Sequence, residues 1–290
     1  MDQVVLAATG RLARVDVPES VWQARAAHTA RVDHDVIVSA ALATDGYVGA
    51  VTASGSAYRI GVDTLPTLAP GGPWSIWDGP IADDLAEGNH VVGLYNLDLD
   101  CPPLALGTRN GVVKRVVPEY KGWENWEVMS VKDDDEIVGV SQAGDADDLI
   151  FITEDAQLLR LSAREVRPQG RAAGGMAGIK LAQGSRVIFF TAVSKENRDQ
   201  AIVVTLAVGP DSAATVKTTA FSDYPAKGRA TSGVRTQRFL KGQDHLALGW
   251  VGIPPVRACD SAGAPRNLPA SDDRRDGTGA KVYGPFFALG

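Results

Sequence analysis

An eight-residue frame, T-x-x-[GA]-x-x-x-R, recurs along the chain and constrains the fold more than any other feature. It stands at TASGSAYR (Thr52 to Arg59), TRNGVVKR (Thr108 to Arg115) and TEDAQLLR (Thr153 to Arg160), and AATGRLAR (Ala7 to Arg14) fits it with alanine first. Two weaker copies put Lys217 of DSAATVK and Arg266 of SAGAPR at the basic position, which then falls at 14, 59, 115, 160, 217 and 266. A unit returning six times at this spacing signals a repeat architecture, in which no unit buries its own faces and neighbours must stack.

Each frame reads as strand, tight turn, strand, with glycine supplying the positive φ that a hairpin turn needs. Runs such as YVGAVT, DLIFIT, RVIFF and AIVVTLAV have the same β-branched character, and no long amphipathic helix competes. A second hairpin is expected in each unit, with DEIVGVSQ closing the third, SRVIFFTAV the fourth and DHLALGWVG the fifth. The expectation is an all-β, six-bladed, propeller-like ring of four-stranded blades forming a single domain over residues 1–290. The blades fall at about 1–44, 45–100, 101–148, 149–200, 201–250 and 251–290.

Composition agrees with a packed soluble domain: 290 residues, 44% apolar and 22% charged. No apolar run is long enough to cross a bilayer and the N-terminus lacks a signal-peptide pattern, so the expected compartment is the cytoplasm, with no membrane partner. Cys101 and Cys259 stand far apart and read as buried free thiols.

The connection after each frame hairpin carries the chemistry. It is VRPQGRAAGG in unit four, YPAKGRATSG in unit five and DDRRDGTG in unit six, so Arg171, Arg229 and Arg275 each precede a glycine by four residues: Gly175, Gly233 and Gly279. Arginine offers a planar fork suited to phosphate, and glycine lets backbone approach a ligand closely. A solvated turn with arginine for solubility is the bland alternative for any one loop; three copies in register argue against it. Charge is segregated in the same way. The chain carries a net -6, but units two and three together hold -12 while units four to six hold +7. Screening confines fields to about 8 Å at physiological salt, so local sign governs phosphate contact. The phosphate-contact candidates are Arg164, Arg167, Arg171 and Lys180 in unit four, Lys227, Arg229 and Arg235 in unit five, and Arg274, Arg275 and Lys281 in unit six. Arg59, Arg115 and Arg160 sit at strand positions and suit ion pairs between blades instead.

Other features carry less. Trp74, Trp77, Trp123 and Trp126 lie in the acidic units and read as packing between blades. His28, Asp33, His34 and Asp35 suit no standard metal geometry, and Asp133, Asp134, Asp135 and Glu136 read as a solvated acidic turn; no metal site is expected. The absence of P-loop, HExxH and GxSxG frames leaves ATP hydrolysis, zinc proteolysis and serine hydrolysis without support, and no catalytic residue is assigned.

The stretch DLIFITEDAQLLRLSAREVRPQGRAAGGMAGIKLAQGSRVIFF resembles a nearly complete blade of the C-terminal DNA-wrapping domain, or β-pinwheel, of the A subunit of bacterial type IIA topoisomerases, DNA gyrase and topoisomerase IV. LALGTRNGVVKRVVPEYKGWENWEVMSVKDDDEIVGV is similar to another, except that its connection lacks glycines. The resemblance implies non-sequence-specific binding and bending of double-stranded DNA. It also implies two protein partners, the remainder of the topoisomerase A subunit together with its ATPase B subunit. A nucleoid-associated location follows, with ATP and Mg only in the parent holoenzyme and no cofactor in this domain. Gyrase carries in its first unit a box of pattern Q-[RK]-R-G-G-[RK]-G. The matching stretch here is Gln23, Ala24, Arg25, Ala26, Ala27, His28 and Thr29, in which only Gln23 and Arg25 survive. A degenerate box favours topoisomerase IV-like relaxation or decatenation. The alternatives are a gyrase domain with a degenerate box, or a propeller used as a protein-interaction platform.

Overall fold

The computed structural model describes residues 2–15, 36–69, 72–79, 82, 89–117, 122–210, 213–270, 274–284 and 286–290. Unit one supplies β1 (Gln3–Ala7), β2 (Leu12–Val15) and β3 (Ile37–Leu42), and unit two supplies β4 (Tyr47–Thr52), β5 (Ser56–Gly61) and β6 (Val91–Tyr95). Unit three holds β7 (Leu104–Thr108), β8 (Val112–Val116), β9 (Asn125–Glu127) and β10 (Ile137–Gln142). Unit four holds β11 (Asp148–Thr153), β12 (Gln157–Ser162), β13 (Pro168–Gln169), β14 (Met176–Ala177) and β15 (Val187–Val193). Unit five holds β16 (Ile202–Val208), β17 (Thr215–Ala220), β18 (Val234–Arg235) and β19 (His245–Gly252), and unit six β20 (Ala258–Cys259), β21 (Ala280–Lys281) and β22 (Ala288–Leu289).

The frame folds as its residues require. Its turn residue has positive φ in five of the six copies, at Gly10 (83°), Gly55 (91°), Gly111 (82°), Gly263 (81°) and, more tightly, at Ala156 (63°). The leading threonine caps the turn from inside: Thr108 Oγ1 accepts the Val112 N–H and Thr153 Oγ1 the Gln157 N–H, each at 3.1 Å. The expected second hairpin is instead a single strand. β3, β6, β10, β15 and β19 each return to pair with the first strand of their own unit, giving the antiparallel orders β2-β1-β3, β5-β4-β6, β8-β7-β10, β12-β11-β15 and β17-β16-β19. A register shift interrupts each return pairing near the frame end of the first strand, as between Leu6 and Ala7 or Ile152 and Thr153, a bulge that adds twist to the blade.

The outermost strand comes from the following unit: β9 pairs with β5, β13 and β14 with β8, β18 with β12, and β21 with β17. Docking happens twice. The backbone of the frame arginine first takes the incoming chain in parallel, with Arg14 opposite Thr67, Arg115 opposite Pro168 and Arg160 opposite Ala226. The chain then loops out and returns antiparallel beside the turn, as where Met176 faces Val113 and Val234 faces Leu158.

The returning strands form the inner wall of a ring around a cavity of about 680 Å³, with β22 in the sixth place between β19 and the start of unit one. Hydrophobic cores lie between adjacent blades: Leu6, Val48 and Ile60 between the first two, Leu104, Tyr95 and Trp126 between the next, Phe151, Phe190 and Val113 beyond, then Ile152, Val203 and Phe221. The fold is thus an all-β propeller-like ring. Five of the six expected blades form as sheets of three to five strands, and the sixth segment contributes only the two-stranded β20–β22. Proline explains the shortfall: Pro265 stands opposite Cys259 where the second hairpin strand should run, and it has no N–H to give a ladder.

Candidate nucleic-acid interface

The outer connections of units three to six touch one another in sequence and make a belt around the blade edges. The Arg171 guanidinium of unit four lies over the Trp123 ring of unit three at 4.1 Å. The Lys180 N–H bonds the Thr231 carbonyl at 3.0 Å, and Arg229 Nη1 donates to the Ala177 carbonyl at 2.6 Å, joining unit five to unit four. Arg238 N–H reaches the Gly277 carbonyl at 2.9 Å and Gln237 Nε2 the Thr278 carbonyl at 2.9 Å, joining unit six to unit five.

On this belt Arg164, Arg167, Lys180, Lys227, Arg235, Arg274 and Lys281 are exposed, whereas Arg171, Arg229 and Arg275 are half-buried. The three half-buried arginines have additional tasks. Arg171 is stacked on Trp123, Arg229 is bonded to Ala177 while its own N–H donates to Glu165 Oε2 at 3.0 Å, and Arg275 has a buried Nη1 with no hydrogen-bond partner among the described residues. Gly175, Gly233 and Gly279 have φ of 83°, 76° and 75°, and a methyl on any of them would strike the backbone of the neighbouring blade, at Val113, Leu158 and Val216. The backbone these glycines approach is the protein's own. Open glycines, with little or nothing near a would-be Cβ, are Gly170 and Gly228, each directly before its arginine.

The frame arginines are internal. Arg115, 1% exposed, donates to Asp145 Oδ1 at 2.7 Å and to the carbonyls of Ala143, Ala163 and Val166 at 3.0, 2.9 and 3.3 Å. Those bonds hold the start of unit four, and they keep the Asp145 carboxyl below its usual range. Arg160 pairs with Asp148 at 2.8 Å, donates to the Tyr224 carbonyl of unit five at 3.1 Å and covers the Phe221 ring. Arg59 lies over Tyr47 at 4.2 Å.

The weaker frame copies are displaced by one residue. β18 meets β12 at Gln157 and β21 meets β17 at Thr215, so Lys217 corresponds to Leu159 and Thr218 to Arg160. Arg266, three residues after Gly263, falls at that same address, as does Lys114, three after Gly111. A one-residue slip moves a strand side chain to the other face. There, Lys114 is fully buried and donates from Nζ to the carbonyls of Val128, Arg171 and Ala173 at 2.6, 2.5 and 2.8 Å, while Lys217 Nζ donates to the Arg275 carbonyl at 2.6 Å. Burial lowers the Lys114 pKa to about 8 against the pull of Glu127.

Trp74 and Trp126 are buried in the blade interfaces and Trp77 packs against one, but Trp123 is 38% exposed on the belt. Asp133 to Glu136 form a turn in which Asp135 Oδ1 accepts the Asn110 and Glu136 N–H groups and Glu136 pairs with Arg109. Cys259 is buried and Cys101 only partly so. No cluster of three metal-ligating side chains occurs among the described residues, and no helix among them is long and apolar enough to cross a membrane. Residues 23–29, with His28, and Asp33, His34 and Asp35 lie outside the described residues.

The DNA gyrase C-terminal domain, beta-propeller, family matches residues 147–194 and 212–247, in units four and five. The A subunit of DNA gyrase from Mycobacterium tuberculosis is 29% identical over 189 residues, 59% of this chain and 22% of that protein. Its counterpart from Deinococcus deserti is 32% identical over 189 residues, 56% of this chain and 22% of its own length. The chain thus spans about a fifth of the length of these relatives. Among solved structures, a C-terminal domain of DNA topoisomerase IV superposes with a TM-score of 0.76 at 19% identity, covering 99% of this chain and 92% of that one. A DNA gyrase A C-terminal domain superposes at 0.68 with 17% identity, covering 99% and 98%.

A ring of β-blades that take their outer strands from one another, girdled by arginine-bearing connections, defines a propeller-type domain. Within that class, the chain is similar to the C-terminal β-propeller, or β-pinwheel, domains of DNA gyrase A and topoisomerase IV.

Proposed function

We propose that this domain binds duplex DNA along the outer belt of units four to six and bends it without reading sequence. It would do so within the A subunit of a type IIA topoisomerase that works with an ATPase B subunit. The observation that supports this reading is the continuous belt, whose exposed cations are Arg164, Arg167, Lys180, Lys227, Arg235, Arg274 and Lys281. Cations and backbone N–H groups on a curved rim neutralise phosphates, position a duplex, and offset a bending free energy of several kcal/mol. Arg171, Arg229 and Arg275 contribute from the loop tips, and residues 251–290 serve as a reduced sixth blade that completes the circuit.

The test is binding of random-sequence duplex DNA against salt. Alanine at Arg171, Arg229 and Arg275 together should weaken binding uniformly across sequences and flatten the slope of log K against log salt by up to about three, at roughly 0.9 per phosphate contact. Salt-independent binding, or none, favours the protein-interaction platform. The finer reading is topoisomerase IV-like: Ala24, Ala26, Ala27 and Thr29 replace the cation and glycines of the gyrase box, and unit two beyond carries -7, which repels a strand continuing that way. The curated relatives quoted above are gyrase chains, so the parent enzyme decides the matter. Negative supercoiling of relaxed circles by the unmodified holoenzyme refutes this reading; supercoiling gained only when QARAAHT is rebuilt as QRRGGKG supports it.

A further inference from the structure

From the geometry around its ammonium we infer that Lys114 is a positioning residue for DNA: it fixes the unit-four loop so that Arg171 is presented to phosphate. The inference rests on the DNA-binding reading above. Three of its bonds go to backbone carbonyls, and two of those acceptors, Arg171 and Ala173, lie 57 and 59 residues away in the excursion that bulges from the belt. The third, the Val128 carbonyl, belongs to unit three, so one ammonium ties the loop to the blade beneath it. A loop with Gly170, Gly174 and Gly175 has little stiffness of its own, and each glycine enlarges the set of conformations to be lost on binding.

The rest of the belt makes the same point by contrast. Lys217 occupies the equivalent address two blades away and bonds the carbonyl of Arg275, the counterpart of Arg171. Where that address holds Leu159, no ammonium is available, and the unit-five loop is secured by the guanidinium of Arg229 itself, on the Ala177 carbonyl. A lysine underneath therefore releases the arginine on top. Arg171 has its planar face engaged by Trp123, and a guanidinium stacked by its face keeps its in-plane N–H fork for phosphate.

Lys114→Leu tests this with a side chain that the fold already carries at Leu159, and Lys114→Arg restores a cation, as Arg266 does in unit six. The probe is a random-sequence duplex of about 40 base pairs, long enough to follow a bent path, titrated with salt, using the whole chain. Lys114→Leu should flatten the slope of log K against log salt by about 0.9, one phosphate contact, as Arg171→Ala does. In the Arg171→Ala background it should change nothing more, and Lys114→Arg should regain part of the slope. Additive losses in the double variant overturn the inference, since a residue that supports only the fold does not depend on Arg171. So does an unchanged slope in Lys114→Leu. Should that variant unfold, as seen by denaturant titration, Lys114→Arg and its double with Arg171→Ala decide alone: an altered slope that persists without Arg171 overturns the inference. Failure of the unmodified chain to bind the duplex refutes the DNA-binding reading itself.

Discussion

Replacing Arg115 by methionine separates a cation that builds the ring from the cations proposed to face DNA. The guanidinium is 1% exposed and feeds three carbonyls, those of Ala143, Ala163 and Val166, each of which loses this bond in the variant, although Ala163 keeps the Val166 N–H. Its partner Asp145 has a side chain 63% exposed, so that ion pair is screened and adds little. Charge-assisted bonds contribute about 1.5–3 kcal/mol each, and relief from burying a cation returns part of it, which leaves a net loss of about 3 kcal/mol. Methionine fills much of the same volume, so cavity formation adds less than alanine would. Urea titration followed by tryptophan fluorescence measures the loss, which in a domain of this size lowers Tm by about 6 °C. The salt slope of DNA binding, extrapolated to fully folded protein, should not move, whereas Arg164→Ala should move the slope and leave stability within about 0.5 kcal/mol. A stability loss under about 1 kcal/mol, or a slope change equal to that of Arg164→Ala, refutes the assignment of Arg115 to the structure.

Gly233→Ala forces a side chain into φ of 76° and against the Leu158 backbone, so it should release β18 from β12 and destabilise by about 2 kcal/mol; wild-type amide exchange at Leu158 and Val234 would contradict this. Asp260 has its pKa lowered, first by the Ala264 N–H and then by the Ala262 N–H and Arg266. A depressed folded pKa means that the stabilising charge is complete above the ordinary aspartate value and is lost as pH falls through the folded one. The unit-six hairpin should therefore fray in acid below about pH 4, and Asp260→Asn should remove that component of the acid transition; amide exchange that does not change with pH across the hairpin would disprove it.

The repeat, the hairpin turns and the alignment of Arg171, Arg229 and Arg275 are legible in the sequence because glycine at positive φ leaves a fixed mark there. The trading of outer strands is not legible, since Met176 against Val113 is a non-local pairing of two-residue strands with no pattern of their own. Concealment of that trade also hides Lys114. In VVKRV alternation sends one of two adjacent cations outward, but the incoming unit covers that face and both are buried. Sequence alone sets Lys217 and Arg266 one residue out of frame because no threonine or arginine pins the register in their units. The exposure of Trp123 depends on a loop contact that composition does not announce.

Because every outer strand is borrowed from downstream, the blades form a chain of dependencies with a direction. On a ribosome, the sheet of unit four can present β11, β12 and β15 as soon as they emerge, yet its rim stays unpaired until residue 226, and then residues 234 and 235, follow. Each such rim is thus a transient sticky edge whose cognate lies further along the same polypeptide, and identical logic in units two to five invites a strand to settle on the wrong neighbour. Differences between units, such as Leu159 where its neighbours have lysine, give each rim its own address label. Uniformity among the repeats would make the ring easier to assemble on paper and easier to misassemble in a cell.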